Sequence, residues 1–173
     1  MKNLFIIGYM ASGKTTFGRA LASETGREFI DLDHEMEEIT GRDIPTLIEK
    51  IGIAAFRELE RNVLRSLGHK KGAVISCGGG TPCYYDNIDF MNETGTTLWL
   101  TASPGRIAER VLEAGPTRPL LAGIAPEKLR EEIERHLEER LPYYSRANLV
   151  FSGEHLENEE EIAGSVARFL SLQ

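Results

Sequence analysis

The sequence predicts an α/β fold, a five-stranded and mostly parallel sheet covered by helices on both faces. Three observations carry the prediction. Short apolar runs alternate with stretches of helical periodicity along the whole chain. The spacing G-x-x-x-x-G-K-T stands between the first apolar run and the first helical stretch. No repeat, low-complexity tract or linker divides the 173 residues, a length that suits one domain, residues 1–173, with a real core.

The elements follow in order. "NLFIIGY" is a short apolar strand, and "GKTTFGRALASETG" a helix with Phe17 and Leu21 on its apolar side and Gly26 just past its end. "REFIDLD" reads as a second strand. From Ile44 to about His69 the period turns helical in two pieces, one with Leu47, Ile48 and Ile51, the next with Phe56, Leu59, Val63, Leu64 and Leu67. "AVISC", "TTLWLTA" and "ANLVFSG" are the third, fourth and fifth strands, and Ile162, Val166, Phe169 and Leu170 stripe a last helix. Parallel strands need helical crossovers, which is why this alternation implies two covered faces. One segment resists the scheme: "GPTRPLLAGIAPE", residues 115–127, holds three prolines and two glycines. Loops of that length are uncommon unless they act, and active-site lids are a frequent use.

Composition excludes several classes. With 41% hydrophobic and 27% charged residues the chain reads as an ordinary soluble globule. No apolar run approaches membrane-spanning length, and "MKNLFIIGYM" lacks the features of a signal peptide. A net charge of −7 argues against a nucleic-acid-coating surface, so an anionic ligand must be gathered by a local positive site. Cys77 and Cys83, the two cysteines, fit neither a zinc module nor a C-x-x-C redox pair, which points to reduced thiols and a cytoplasmic protein. Nothing in the sequence demands a second copy, and a monomer is expected.

The strongest chemical signal is "GYMASGKT", Gly8 to Thr15. Glycines let successive N–H groups turn inward onto phosphate oxygens, and the following helix adds its positive dipole end. Lys14 is placed to reach the β- and γ-phosphates and the Thr15 hydroxyl to ligate magnesium. The chain lacks the guanine-reading N-K-x-D of switch GTPases and is too short for a motor ATPase. A small kinase then needs an acceptor pocket, an orienting carboxylate and a cationic lid. Asp31 and Asp33 in "FIDLD" are two apart, so on an extended strand end both face the space beyond the sheet's carboxyl edge. Asp33 is also a candidate N-cap for a helix starting at His34.

In order along nearly the whole chain, "GYMASGKTTFGRALA", "FIDLD", "AAFRELE", "VISCGGG", "TRPLL" and "RLPYY" resemble the shikimate kinase family. The resemblance implies the three-layer P-loop fold of the nucleoside-monophosphate-kinase type, with a mobile lid at about 112–126 and a substrate-binding region at about 33–61. It implies ATP- and Mg2+-dependent phosphorylation of the 3-hydroxyl of shikimate, giving shikimate 3-phosphate and ADP on the way to chorismate and the aromatic amino acids. Asp33, Lys14 and Arg118 match catalytic positions. Ala11, Ser12, Gly13, Lys14, Thr15, Thr16 and Arg118 match nucleotide-binding ones. Thr15 and Asp31 match the magnesium site. Arg57 and Arg140 match the pair that grips the substrate carboxylate, Gly78, Gly79 and Gly80 the turn that approaches the substrate, and Glu60 the acid that orients Arg57. Arg110 and the loop near 152–158 fall on the adenine side.

The residues support these roles independently. Arginine presents a planar fork to a carboxylate, and only glycine lets a main chain approach a ring so closely. Taken singly, each has a blander explanation. Arg57 reads as a surface helix charge, Arg140 as a helix-end cation, Arg118 as a loop charge and the glycines as a turn. His34, His69, His136 and His155 read as scattered surface residues, Cys77 as a small apolar one and Trp99 as core. Ala11 stands where the family has glycine, Ile53 where it has glutamate and Ile48 where it has phenylalanine. Two other readings stay open: a kinase for another small hydroxy acid such as gluconate, and a non-catalytic nucleotide-binding module.

Overall fold

The computed structural model describes residues 1–115, 121 and 123–173. Five strands, β1 (Asn3–Ile7), β2 (Phe29–Asp31), β3 (Val74–Ser76), β4 (Gly95–Thr101) and β5 (Leu149–Ser152), form one sheet in the order β2-β3-β1-β4-β5. Every adjacent pair is parallel. The helices are α1 (Lys14–Thr25), α2 (Leu32–Thr40), α3 (Ile44–Leu67), α4 (Asn87–Thr94), α5 (Pro104–Ala114), α6 (Pro126–Tyr144) and α7 (Glu159–Ser171), with a 3-10 turn at Thr81–Cys83.

The sheet divides two cores because strand side chains alternate between faces. Leu4 and Ile6 of β1 join Phe17 and Leu21 of α1 and Val166 and Phe169 of α7 on one face. Phe5 and Ile7 point the other way, into a larger cluster with Met36 of α2, Phe56 and Leu64 of α3, Ile88 and Met91 of α4, Ile107 of α5 and Ile133 and Tyr144 of α6. The expected parallel sheet with helices on both faces is what forms. The two-piece reading of residues 44–69 also holds, since α3 breaks at Gly52, whose φ of 79° and ψ of 159° leave the helical region. Gly26 caps α1 in the left-handed conformation expected of a helix-ending glycine.

Two expectations are corrected here. The second strand ends at Asp31, and Asp33 already lies in the first turn of α2. The N-cap is Asp31, whose carboxylate accepts the Asp33 N–H. The period-2 argument for a shared face therefore does not apply to this pair. His136 is not a surface residue, being only 8% exposed on the inward side of α6. Trp99 is half-buried on β4, its ring 5.7 Å from that of Tyr144. Cys77 is buried with its Sγ 3.7 Å from Met91 Sδ, an apolar packing role as expected. Among the described residues, no helix is long and apolar enough to cross a membrane.

Candidate active site

The loop Gly8–Gly13 runs from the end of β1 to the start of α1, so it lies at the sheet's carboxyl edge. Its turn is closed by the Ser12 N–H donating to the Tyr9 carbonyl at 3.2 Å. Ala11 adopts φ 57°, a left-handed conformation in which a methyl group is tolerated with some strain. Lys14 is buried, and its Nζ donates to the Tyr9 carbonyl at 2.8 Å. The Ser12 Oγ is buried and has no hydrogen-bond partner among the described residues. Arg110 of α5 donates to the carbonyls of Ala11 (3.2 Å) and Gly153 (2.8 Å) and pairs with Glu157, tying the phosphate loop to the segment that follows β5.

Thr15 Oγ1 donates to Asp31 Oδ2 at 2.9 Å, so a hydroxyl and a carboxylate converge beside the loop. Both are hard oxygen donors of the kind Mg2+ prefers, and a site with one carboxylate suits an ion that keeps several waters and phosphate oxygens as ligands. Among the described residues, no group of three or more His, Cys, Asp or Glu is arranged to hold a metal ion on its own.

The opposite wall is built on the turn after β3. A Cβ added to Gly78 would lie 3.1 Å from Asp33 Oδ1 and 3.2 Å from Glu60 Oε1; one on Gly79 would lie 3.1 Å from Arg140 Nη1. At Gly80 it would lie 2.6 Å from Arg57 Nη2, a distance real side chains do not tolerate. Three successive glycines therefore let α2, α3 and α6 bring two carboxylates and two guanidinium groups against a single stretch of main chain. Burial pushes the Asp33 carboxyl up to about 6, with the neighbouring Asp31 and Glu60 charges adding and Lys14 opposing. Glu60, 1% exposed, accepts from Arg57 Nη1 at 2.8 Å and from Thr81 Oγ1 at 2.7 Å. A carboxyl group so buried requires such hydrogen-bond partners.

Arg140 lies over the Tyr9 ring, 4.9 Å from its centroid, and its Nη1 is 3.5 Å from the Tyr144 hydroxyl. That hydroxyl donates to the Gly79 carbonyl at 2.6 Å. The Tyr9 hydroxyl, pushed up to about 12 chiefly by burial, stays protonated and lies 2.7 Å from His136 Nδ1. Burial also lowers the His136 pKa, which favours a neutral ring. Its Nε2 lies 3.0 Å from Arg135 Nη2 and 3.2 Å from Glu132 Oε1, and whichever of the two it bonds sets the tautomer and the direction of the Tyr9 bond.

The sequence's candidates assemble into two adjoining groups: Ala11, Ser12, Gly13, Lys14, Thr15, Thr16 and Asp31 around the phosphate loop, and Asp33, Arg57, Glu60, Gly78, Gly79, Gly80 and Arg140 around the turn. Arg118 lies outside the described residues. The sequence reading missed Tyr9, Thr81, His136 and Tyr144. A signal existed for two of them, because His136, Arg140 and Tyr144 are spaced four apart and so share one helix face.

The family model described as shikimate kinase matches residues 10–171. The shikimate kinase of Bacteroides thetaiotaomicron is 41% identical over 172 residues, covering 99% of this chain and 98% of that protein. A crystal structure of shikimate kinase from the same organism superposes with a TM-score of 0.94 over 99% of this chain and 97% of its own. The shikimate kinase of Acinetobacter baumannii, solved in complex with shikimate, is 33% identical and superposes with a TM-score of 0.85 over 99% of this chain and 92% of its own.

Proposed function

The chain belongs to the shikimate kinase family, and from that membership we propose how its residues carry the reaction. It is a kinase of aromatic biosynthesis that phosphorylates shikimate with ATP as co-substrate. The residue assignment rests on one observation, the convergence of Asp33, Arg57 and Arg140 on the turn Gly78–Gly80 beside the phosphate loop.

On this reading the shikimate carboxylate sits between Arg57 and Arg140, two planar forks that fix its orientation. The acceptor 3-hydroxyl then turns toward Asp33. A carboxyl titrating near 6 is ionised at neutral pH yet basic enough to accept a hydroxyl proton. Lys14 leaves the Tyr9 carbonyl for phosphate oxygens, and the backbone N–H groups of residues 11–16 hold the rest of the triphosphate. Thr15 and, more remotely, Asp31 would hold Mg2+, which when bound would supply positive charge to the triphosphate. Arg118, within the lid proposed for residues 112–126, adds positive charge over the transferring group and excludes water. Most of the rate enhancement then comes from alignment and charge neutralisation, as phosphoryl transfer requires.

The test is coupled ADP release with shikimate, with gluconate and with no acceptor. Turnover confined to shikimate is expected. Equal or faster turnover with gluconate overturns the acceptor assignment, and ADP release independent of any acceptor overturns the kinase.

A further inference from the structure

The segment Tyr84–Asp86 is fastened along α3 by three arginines at four-residue spacing. The Arg57 guanidinium lies 4.2 Å from the centroid of the Tyr84 ring, and that of Arg61 lies 5.3 Å from Tyr85. Arg61 and Arg65 both pair with Asp86, at 3.2 and 2.5 Å. Tyr85 is held at φ 52°, a conformation unusual for a tyrosine, and its two neighbours are the residues that make these contacts. Tyr84 itself is 41% exposed, so the ring is not there to fill a core.

Arg57 needs such a partner. Its Nη1 is taken by Glu60, but its Nε is buried with no hydrogen-bond partner among the described residues. A guanidinium attached at one nitrogen still turns about that bond, and a carboxylate clamp depends on the orientation of the guanidinium plane. The Tyr84 ring, its centroid 4.2 Å from the guanidinium carbon and nearer than the Phe56 ring at 5.1 Å, restricts that turning by a cation–π contact. We propose that Tyr84 is a positioning residue, its ring holding the Arg57 guanidinium in the plane that receives the acceptor carboxylate, with Asp86 anchoring the segment from below. The inference rests on Arg57 being a carboxylate-binding residue.

The experiment is steady-state kinetics of the full chain bearing Tyr84→Phe, Tyr84→Leu, Tyr84→Ala, Arg57→Ala and the double variant Tyr84→Ala/Arg57→Ala, with thermal melts to confirm folding. Tyr84→Phe keeps the ring and is expected to behave as the parent. Tyr84→Leu and Tyr84→Ala are expected to raise KM for shikimate roughly five- to tenfold, the size of a partly exposed stacking contact, with KM for ATP unchanged. In the double variant the Tyr84 change is expected to add nothing to the Arg57 loss, because the ring acts only through that arginine. An unchanged KM in Tyr84→Ala, a Phe variant as impaired as Ala, or equal losses for shikimate and ATP overturns the positioning role. If Arg57→Ala itself leaves the shikimate KM unchanged, the carboxylate reading of Arg57 is what fails.

Discussion

Asp33 shows how one residue is made reactive at the expense of stability. Its carboxyl titrates near 6 because burial and the neighbouring Asp31 and Glu60 charges disfavour ionisation. Between its ordinary carboxylate value and about 6, the folded chain binds more protons than the unfolded one, so the contribution of Asp33 to stability falls as pH rises through that window. At neutral pH its charge is a net cost. Asp33→Asn removes that cost and is expected to raise Tm at pH 7.5 by about 2–4 °C, as a gain on the order of 1 kcal/mol does in a chain of this size. The gain is expected to shrink as pH falls through 6 and to vanish only below the ordinary carboxylate value, where the folded and unfolded chains are both protonated at this site. The same variant is expected to lower kcat by about 10²-fold or more while leaving ATP binding intact. The parent enzyme should also lose kcat/KM for shikimate on an acid limb centred near pH 6. A variant that keeps its rate, or a parent profile flat down to pH 5, removes Asp33 from the proton-accepting role.

At the scale of elements, the turn after β3 does the assembling, and its tightest contact gives a direct test. Gly80 has φ −90° and ψ −16°, a conformation open to any residue, so Gly80→Ala adds no backbone strain. The three atoms nearest the new methyl all belong to the Arg57 guanidinium, which must swing away from its position. Roughly a tenfold rise in KM for shikimate is expected, with Tm within a few degrees of the parent; an unchanged KM means that Arg57 does not need the place it occupies. The layers of the fold and these glycines were legible in different degrees. Alternation of period 2 and 3.6, together with the phosphate-loop spacing, was enough to predict the layers and the two-piece helix at 44–69, whose break falls at Gly52. What the sequence concealed was where β2 hands over to α2. "FIDLD" continues an apolar alternation past Asp31, whereas the Asp31 side chain ends the strand by capping the helix that contains Asp33. The four-residue spacing of His136, Arg140 and Tyr144 marked a common helix face, but on a helix dense with Glu and Arg it did not show that this face is the one turned toward Tyr9 of the phosphate loop.

For the molecule as a whole, the sheet separates what holds the nucleotide helix from what shapes the acceptor pocket. α1, which begins with Lys14 and Thr15, shares its core with α7, whereas α2, α3 and α6, which supply Asp33, Arg57 with Glu60, and Arg140, pack on the other face. The two groups meet only where the strands end, the usual place for ligands in open α/β sheets. Stability and acceptor binding should therefore be separable by mutation. Phe169 of α7 meets Phe17 edge-on at 5.6 Å and Phe151 at 5.3 Å, in the core remote from the acceptor pocket. Phe169→Ala leaves a cavity there and is expected to cost about 3–5 kcal/mol, lowering Tm on the order of 10 °C. At temperatures where the variant remains folded, its KM for shikimate should match that of the parent, because no acceptor-side group touches the cavity. Combined with Gly80→Ala, the two effects should add, one appearing in the melt and the other in KM, as they do for distant sites with no shared partner. A shikimate KM that rises in Phe169→Ala as far as in Gly80→Ala shows instead that the sheet transmits the loss from one face to the other.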